Sequence, residues 1–206
     1  MKLDPGRVFR MAETNAPVAG CTVSQQIGAG KNPLWIFSLG EGTDISAEIY
    51  PYHKLLTVHT GRLALTGSLK GTVLEAGESL LTPTDVPVGM AAEEDTVYTE
   101  VEIQKEDIMN NAVKAGEAFR LADLVPYQEG RIVNMDVVHN DKMKFVVMAF
   151  DAGTGLSEHA APGDALIFAW TGKGSSATKP GPHPESRRTV PLRQKRTPLG
   201  QSRETL

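Results

Sequence analysis

The chain has 206 residues, of which 40% are hydrophobic and 22% are charged, and its formal net charge is −4. This length and apolar content can bury the core of one large or two small globular units. No apolar run is long enough to cross a membrane, and the N-terminus has no apolar segment of signal-peptide length, so we expect no membrane partner. A single cysteine, Cys21, excludes an internal disulfide framework and predicts a reducing, cytoplasmic compartment.

Nine short segments between residues 21 and 103 are rich in β-branched or aromatic residues, and Gly, Pro or Asp separates many of them. This spacing of strands and turns is typical of a β-sandwich or β-barrel. A helix-like stretch follows at 105–116, where Asp107 is expected to cap a short connector helix and Gly116 to end it. The predicted strands are 21–27, 34–40, 45–50, 55–61, 62–67, 72–77, 79–84, 86–92 and 96–103.

An internal repeat at an offset of 110 or 111 residues runs through most of the chain. It predicts two copies of one β unit, because self-similarity at a fixed period indicates repeated structural units. The first copy continues to Ile103, whereas the second loses the similarity after Lys173. The matched segments are GRVFRMAE (6–13) with GEAFRLAD (116–123), LWIF (34–37) with FVVM (145–148), and 42–62 with 153–173.

Residues 174–206 differ in composition from the rest of the chain. They contain seven basic and two acidic residues, five of the thirteen prolines, and no aromatic residue, isoleucine or methionine. Such a segment buries too little apolar surface to order itself, so we predict a disordered basic tail. A nucleic-acid-binding role is not expected, because the tail lacks interleaved aromatic residues and a folded basic face.

The repeat resembles the cupin superfamily, and two tandem copies resemble a bicupin. The cupin pattern is His-x-His, three or four residues, Glu, six residues and Gly, followed by G-x5-P-x4-H. Here the second part corresponds to Gly77, Pro83 and Val88. The resemblance implies an all-β fold, a double-stranded β-helix or jelly-roll-like barrel, with a ligand pocket inside and a homodimer as assembly. The implied domains are a complete first barrel (1–104), a connector (105–115), an incomplete second cupin unit (116–173) and the tail (174–206).

In the first copy the resemblance maps the metal-ligand pattern onto residues that do not suit a metal. Counting back from Gly61, the early positions hold Glu48, Tyr50 and Lys54, and the last position holds Val88. A lysine cation repels a metal ion, and no imidazole of the pattern is present. We therefore expect no metal here, and instead a small-molecule pocket lined by these four residues. His53 is one residue out of step, and His59 is expected to be a surface or packed histidine.

In the second copy, counting back from Gly172, the same positions hold His159, Ala161 and Ala165. Only His159 matches the pattern, so we expect a ligand pocket lined by His159, Ala161 and Ala165, in which His159 forms hydrogen bonds rather than binding a metal. The strands that should close this barrel are replaced by the tail. Reading a back-translation of residues 185–206 one base later permits a string containing APHSV, which resembles the closing cupin motif. Two interpretations of the tail therefore remain open: it is a frameshift product, or it is a genuine partner-binding segment.

These observations lead to a cupin-like protein without a standard metal centre or other cofactor, binding a small molecule or serving a structural role. The alternative is a cupin enzyme of the isomerase or dioxygenase type that uses His159, with a divalent metal as an option. A sensor or interaction protein is a third class, although no helix-turn-helix is evident.

Overall fold

The structure, a computed structural model, describes residues 7–157, 159, 163–172 and 190–191. One compact unit holds the residues from Met11 to 157, and a second unit holds the remaining described residues. The first unit contains three antiparallel sheets. The second unit contains one two-stranded parallel sheet formed by β14 (Leu166–Ile167) and β15 (Val190–Pro191).

A six-stranded sheet forms one side of the first unit. It orders its strands β1-β2-β9-β4-β7-β11. Its most sheltered strands, β4 and β9, are almost continuously buried, as expected for strands covered on both faces. The strands are β1 (Thr22–Gly28), β2 (Leu34–Leu39), β4 (His53–Thr60), β7 (Ser79–Leu81), β9 (Thr96–Ile103) and β11 (Ala118–Phe119).

A four-stranded sheet packs against the six-stranded one, in the order β3-β8-β5-β6. The core between the two sheets consists of apolar side chains from both, with Leu56 and Val58 on one side and Leu63, Leu65 and Met90 on the other. Together the nine strands β1–β9 confirm all nine strands predicted from the sequence. The strands of this sheet are β3 (Asp44–Ile49), β5 (Arg62–Gly67), β6 (Val73–Glu75) and β8 (Pro87–Ala92).

The third sheet of this unit has the order β10-β12-β13, with β10 at Ile108–Met109, β12 at Ile132–His139 and β13 at Lys144–Phe150. The hairpin β12–β13 lies 111 residues after the hairpin β1–β2, and both hairpins carry a register shift near the loop. The short helix α1 (Met11–Thr14) likewise has a 3-10 helix, Leu121–Asp123, as its counterpart 110 residues later. None of the helices in the described residues is long and apolar enough to span a membrane.

The helix predicted over 105–116 is wrong. The segment forms turns and the short strand β10, and Asp107 caps no helix. Its buried carboxylate instead accepts hydrogen bonds from Asn32 Nδ2 at 2.6 Å, Asn140 Nδ2 at 2.9 Å and the Gln104 backbone N–H at 2.9 Å. Lys31 Nζ lies 3.4 Å from Oδ1 of this carboxylate, the oxygen that accepts from Asn140. Donors from the β1–β2 loop and the β12–β13 hairpin thus meet at one carboxylate.

These donors determine the charge state of Asp107. Burial alone raises the pKa of the carboxyl, but the hydrogen bonds from Asn140, Asn32 and Gln104, with the Lys31 cation, lower the pKa below its ordinary value. The ionised carboxylate therefore connects three segments that lie far apart in the sequence.

We expect Asp107→Ala to lower the free energy of unfolding by about 1–3 kcal/mol, because it leaves buried amide donors without their acceptor. Chemical denaturation followed by circular dichroism measures this loss. The matched control is Asp141→Ala, which removes an exposed carboxylate and is expected to change stability by less than about 0.5 kcal/mol. Equal losses in the two variants would contradict the role given to Asp107.

Candidate functional site

A buried ion pair lies inside the barrel formed by the two larger sheets. Lys54 on β4 is 9% exposed and Glu100 on β9 is 3% exposed. Lys54 Nζ lies 3.0 Å from Glu100 Oε1. The register pairs Leu56 with Glu100, and Leu56 belongs to the core, so Glu100 faces the barrel interior. Lys54, two residues before Leu56, faces the same way.

Two residues of β3 and the following turn extend this pair toward the surface. The Tyr50 ring lies under the Lys54 ammonium, with Nζ 3.7 Å from the ring centroid, which is a cation–π contact. The Tyr50 hydroxyl donates a hydrogen bond to Glu48 Oε2. Tyr52 packs beside Tyr50, with the ring centroids 5.2 Å apart. The polar cluster, defined as Glu48, Tyr50, Lys54 and Glu100, is therefore one connected chain of contacts.

Burial increases along the polar cluster. Glu48 is exposed, Tyr50 is half-buried, and Lys54 and Glu100 are buried. Beyond them lies Tyr98, which is fully buried two residues before Glu100 on β9. The cluster thus leads from the surface to the apolar core.

Tyr98 carries the one buried side-chain polar atom that has no hydrogen-bond partner within the described part of the chain, its hydroxyl oxygen. Its ring stacks on Phe37, with the centroids 5.1 Å apart, and belongs to the core. Burial raises the pKa of Tyr98 well above its ordinary value, and the charge of Glu100 adds to this rise. The phenol is therefore a neutral O–H donor, and an acceptor for it is missing.

The same burial acts on the other ionisable groups of the site. It raises the pKa of the Glu100 carboxyl, and Lys54 opposes this rise. Burial also raises the pKa of the Tyr50 phenol, as does its hydrogen bond to Glu48. The Lys54 cation is therefore what favours the ionised form of Glu100 in a poorly solvated place.

The residues at the family's metal-ligand positions do not fit a metal ion. Lys54 places an ammonium among the carboxylates, and Val88, which is buried opposite Glu48 on β8, has no ligand atom. Among the described residues, no three His, Cys, Asp or Glu side chains are grouped so that they could hold a metal. The chemistry that this donor set supports is hydrogen bonding and charge recognition.

The structure brings together the four site residues predicted in the first copy: Glu48, Tyr50 and Lys54 form a chain of contacts, and Val88 pairs with Glu48. His159 is exposed and Ala165 is half-buried, and both belong to the second unit. Ala161 lies outside the described residues, as does the predicted tail (174–206) apart from the strand at 190–191.

Sequence reasoning missed Glu100 and Tyr98. Both lie in the segment TVYTEVEI, whose alternation predicts a strand but does not reveal which strand pairs with Lys54. The sequence signal that could have found Glu100 is a glutamate at a position that alternates with apolar residues.

The two histidines of β4 lie away from the polar cluster. His53 Nδ1 is 2.6 Å from the Thr82 carbonyl oxygen, and His59 Nε2 is 3.0 Å from Thr99 Oγ1. His53 pairs with Ile103, one position out of phase with Lys54, and so lies on the opposite face of the sheet. Burial lowers the pKa of His59 to about 4, so it is a neutral packed histidine near pH 7.

Comparison with known proteins gives a likeness in structure alone. No family model matches the chain, and no curated protein matches it. The structure is similar to a cupin 2 conserved barrel domain protein from Leptotrichia buccalis, with a TM-score of 0.68 and 22% identity over 80% of this chain and 74% of that one.

Two further solved structures match about half of the chain. One is a conserved protein of unknown function from Streptococcus pyogenes, with a TM-score of 0.48 and 17% identity, covering 52% of this chain and 94% of that one. The other is a cupin superfamily protein from Desulfitobacterium hafniense, with a TM-score of 0.48 and 16% identity, covering 51% of this chain and 97% of that one. The Leptotrichia buccalis likeness shows the fold: the chain is an all-β protein with the cupin fold, a double-stranded β-helix.

We expect Lys54→Met to lower the free energy of unfolding by about 3–5 kcal/mol, because it leaves a buried carboxylate without its cation. The double variant Lys54→Met/Glu100→Gln is expected to lose less stability than the two single variants lose together. Denaturant titrations of the four proteins measure this coupling energy. The matched cycle is Arg62→Met/Glu75→Gln, since Arg62 Nε and Glu75 Oε1 are also 3.0 Å apart but half-exposed. Its coupling is expected below about 1 kcal/mol. If the stability losses of the Lys54 and Glu100 variants simply add, the two buried charges are not coupled and the prediction is wrong.

Lowering the pH should destabilise the protein through His59. Its pKa is lowered from 6.5 to about 4 in the folded chain, so only the unfolded chain gains a proton between these values. The His59 contribution to the free energy of unfolding therefore falls as the pH falls from 6.5 toward 4, and His59→Gln removes this part of the decline. Denaturation at stepped pH measures it. His53→Gln is the control and retains the decline; identical pH profiles for wild type and His59→Gln would contradict the prediction.

Proposed function

We propose that the first barrel binds a small polar molecule, without a metal, at the inner end of the polar cluster. The observation that carries this proposal is the Tyr98 hydroxyl, a fully buried donor for which the described residues supply no acceptor, close along β9 to Glu100 of the Lys54–Glu100 pair. An unsatisfied buried donor costs about 1–3 kcal/mol, and an acceptor atom of a bound molecule offsets that cost. The increase in burial from Glu48 to Tyr98 supports an approach from the surface.

The charges of the site favour a neutral or cationic ligand. Glu100 pairs with the Lys54 ammonium, and the charges of two further carboxylates, Glu48 and Glu102, act on Glu100. The Glu102 charge also acts on Tyr52. An anionic ligand would meet net repulsion, whereas hydroxyl or ammonium groups can donate to the carboxylates. The neighbouring rings of Tyr50 and Tyr52 add apolar and π surface for the body of such a ligand.

The proposed protein is a tandem cupin in which the second copy is incomplete. The hairpins β1–β2 and β12–β13 and the short helices before them recur at the offsets seen in the sequence, which supports the repeat. The enzyme alternative depends on His159, which is exposed.

Ligand-induced changes in melting temperature test the proposal. The probes are a neutral polyol (glycerol), two organic ammonium ions (ethanolamine and choline) and a carboxylate (acetate). We expect a polyol or ammonium probe to raise the melting temperature in a saturable way, and acetate to have no such effect. A ligand at a hundred times its Kd stabilises by about 2.7 kcal/mol. Metal analysis of the purified protein and of His159→Ala is expected to find no stoichiometric metal.

Tyr98→Phe is the decisive variant, because it removes the orphaned hydroxyl and keeps the ring that stacks on Phe37. It should retain or gain stability without a probe and lose the probe-induced shift. Tyr127→Phe, at an exposed tyrosine, is the control and should keep that shift. A probe-induced shift that survives in Tyr98→Phe, no shift with any neutral or cationic probe, or stoichiometric metal would overturn the proposal.

A further inference from the structure

Strand β13 ends the three-stranded sheet with an edge that no other strand covers within the described part of the chain. Its other edge pairs with β12 along the whole strand. An edge of this kind presents a row of backbone donors and acceptors that can pair with another strand.

The equivalent strand of the first copy shows what this edge lacks. β2 corresponds to β13 at an offset of 111, and it pairs with β1 on one edge and with β9 on the other. β13 retains only the first of these two pairings, through β12. The second copy therefore has a central strand of the cupin sheet in an edge position.

After Lys144, the sequence of β13 lacks the features that usually protect a solvent-exposed edge strand from pairing. Residues 145–150 read FVVMAF, with no charge and no proline. Natural edge strands usually carry lysine, proline or a bulge that prevents pairing, and long apolar edges without them associate. Val147 and Ala149 are buried on one face, whereas Val146 and Met148 on the other face are half-buried and Phe150 is 40% exposed. Both the edge and this second face are suited to a partner strand.

The composition of the chain indicates what this partner is. Residues 174–206 contain five prolines and no aromatic residue or isoleucine, and so contain no sequence like the β9 segment TVYTEVEI. A second β13 meets the requirement, because an antiparallel pairing centred on Val147 sets each of residues 145–149 against another apolar residue. It also places Lys144, at the start of one β13, opposite Phe150 of the other, where the aliphatic stem of the lysine can cover the ring.

We propose that two copies of this chain associate through antiparallel pairing of their β13 edges, with the two-fold axis at Val147. In this register Val146 of one copy lies opposite Met148 of its partner. The apolar faces formed by Val146, Met148 and Phe150 then continue across the dimer, with Lys144 of each copy opposite Phe150 of its partner. This interface is independent of the ligand proposed for the first barrel.

Mass measurement of the full chain tests whether the dimer forms. Light scattering after size exclusion is expected to show twice the chain mass of 22.2 kDa, with dissociation on dilution. Met148→Lys introduces two cations at the interface and should raise the dimer Kd by about a hundredfold or more. The matched control is Asn134→Lys, which places the same charge on the same face of the sheet, opposite Met148 but one strand away from the edge. This control should remain dimeric.

Cross-linking tests the register, and it does not depend on whether Met148→Lys folds. In a Cys21→Ser background, Val146→Cys/Met148→Cys should form an intermolecular disulfide, because residues opposite each other in antiparallel strands have Cα atoms about 4.5–5.5 Å apart. Each single cysteine variant faces a valine or methionine of the partner and should not cross-link. A monomer at every concentration, a dimer that Met148→Lys leaves unchanged, or equal cross-linking by the single variants would overturn the proposal.

Discussion

The ion pair between Lys54 and Glu100 is the interaction on which the interior of the first barrel depends. Both side chains are nearly inaccessible to solvent, and their atoms are 3.0 Å apart. Removing two charges from water is costly, so each group is tolerated there only because the other is present. Tyr50, which lies against the Lys54 ammonium, and Glu48, which accepts from Tyr50, are positioned by the same cation. A cation supplied by the chain itself thus occupies the place where the family resemblance puts metal ligands.

The same pair separates two environments inside one barrel. Toward the core the side chains are apolar and close-packed, and toward the surface they are polar and progressively solvated. Tyr98 lies at the boundary, with its ring in the first environment and with the charge of Glu100 acting on its phenol. An unpaired donor is costly at this boundary, because polar interactions are strongest where water is scarce.

Strand positions in the first barrel could be predicted because alternation and turn residues are local properties of the sequence. The positions of Glu48, Tyr50 and Lys54 came from counting along the family pattern. Glu100 was not identified, because its partner is set by the pairing of β4 with β9. The first residues of these two strands, His53 and Thr96, are more than forty residues apart. Asp107 was misinterpreted as a helix cap for the same reason, since the donors that determine its conformation include Asn32 and Asn140. Local patterns specify elements, whereas long-range pairing specifies the site.

The six-stranded sheet ends with β11, a short strand that lies beyond the nine strands of the first barrel. Ala118–Phe119 pairs with Ser79 and Leu80 of β7. The N-terminal barrel therefore cannot finish folding during synthesis until residue 119 has left the ribosome, although its own nine strands are complete at Ile103. Until then β7 has a free side that can pair with other chains, a state in which β proteins are prone to aggregate. The folding of the first barrel thus depends on a segment beyond its own nine strands, so a cut after Ile103 would expose the edge of β7 that Ala118–Phe119 covers.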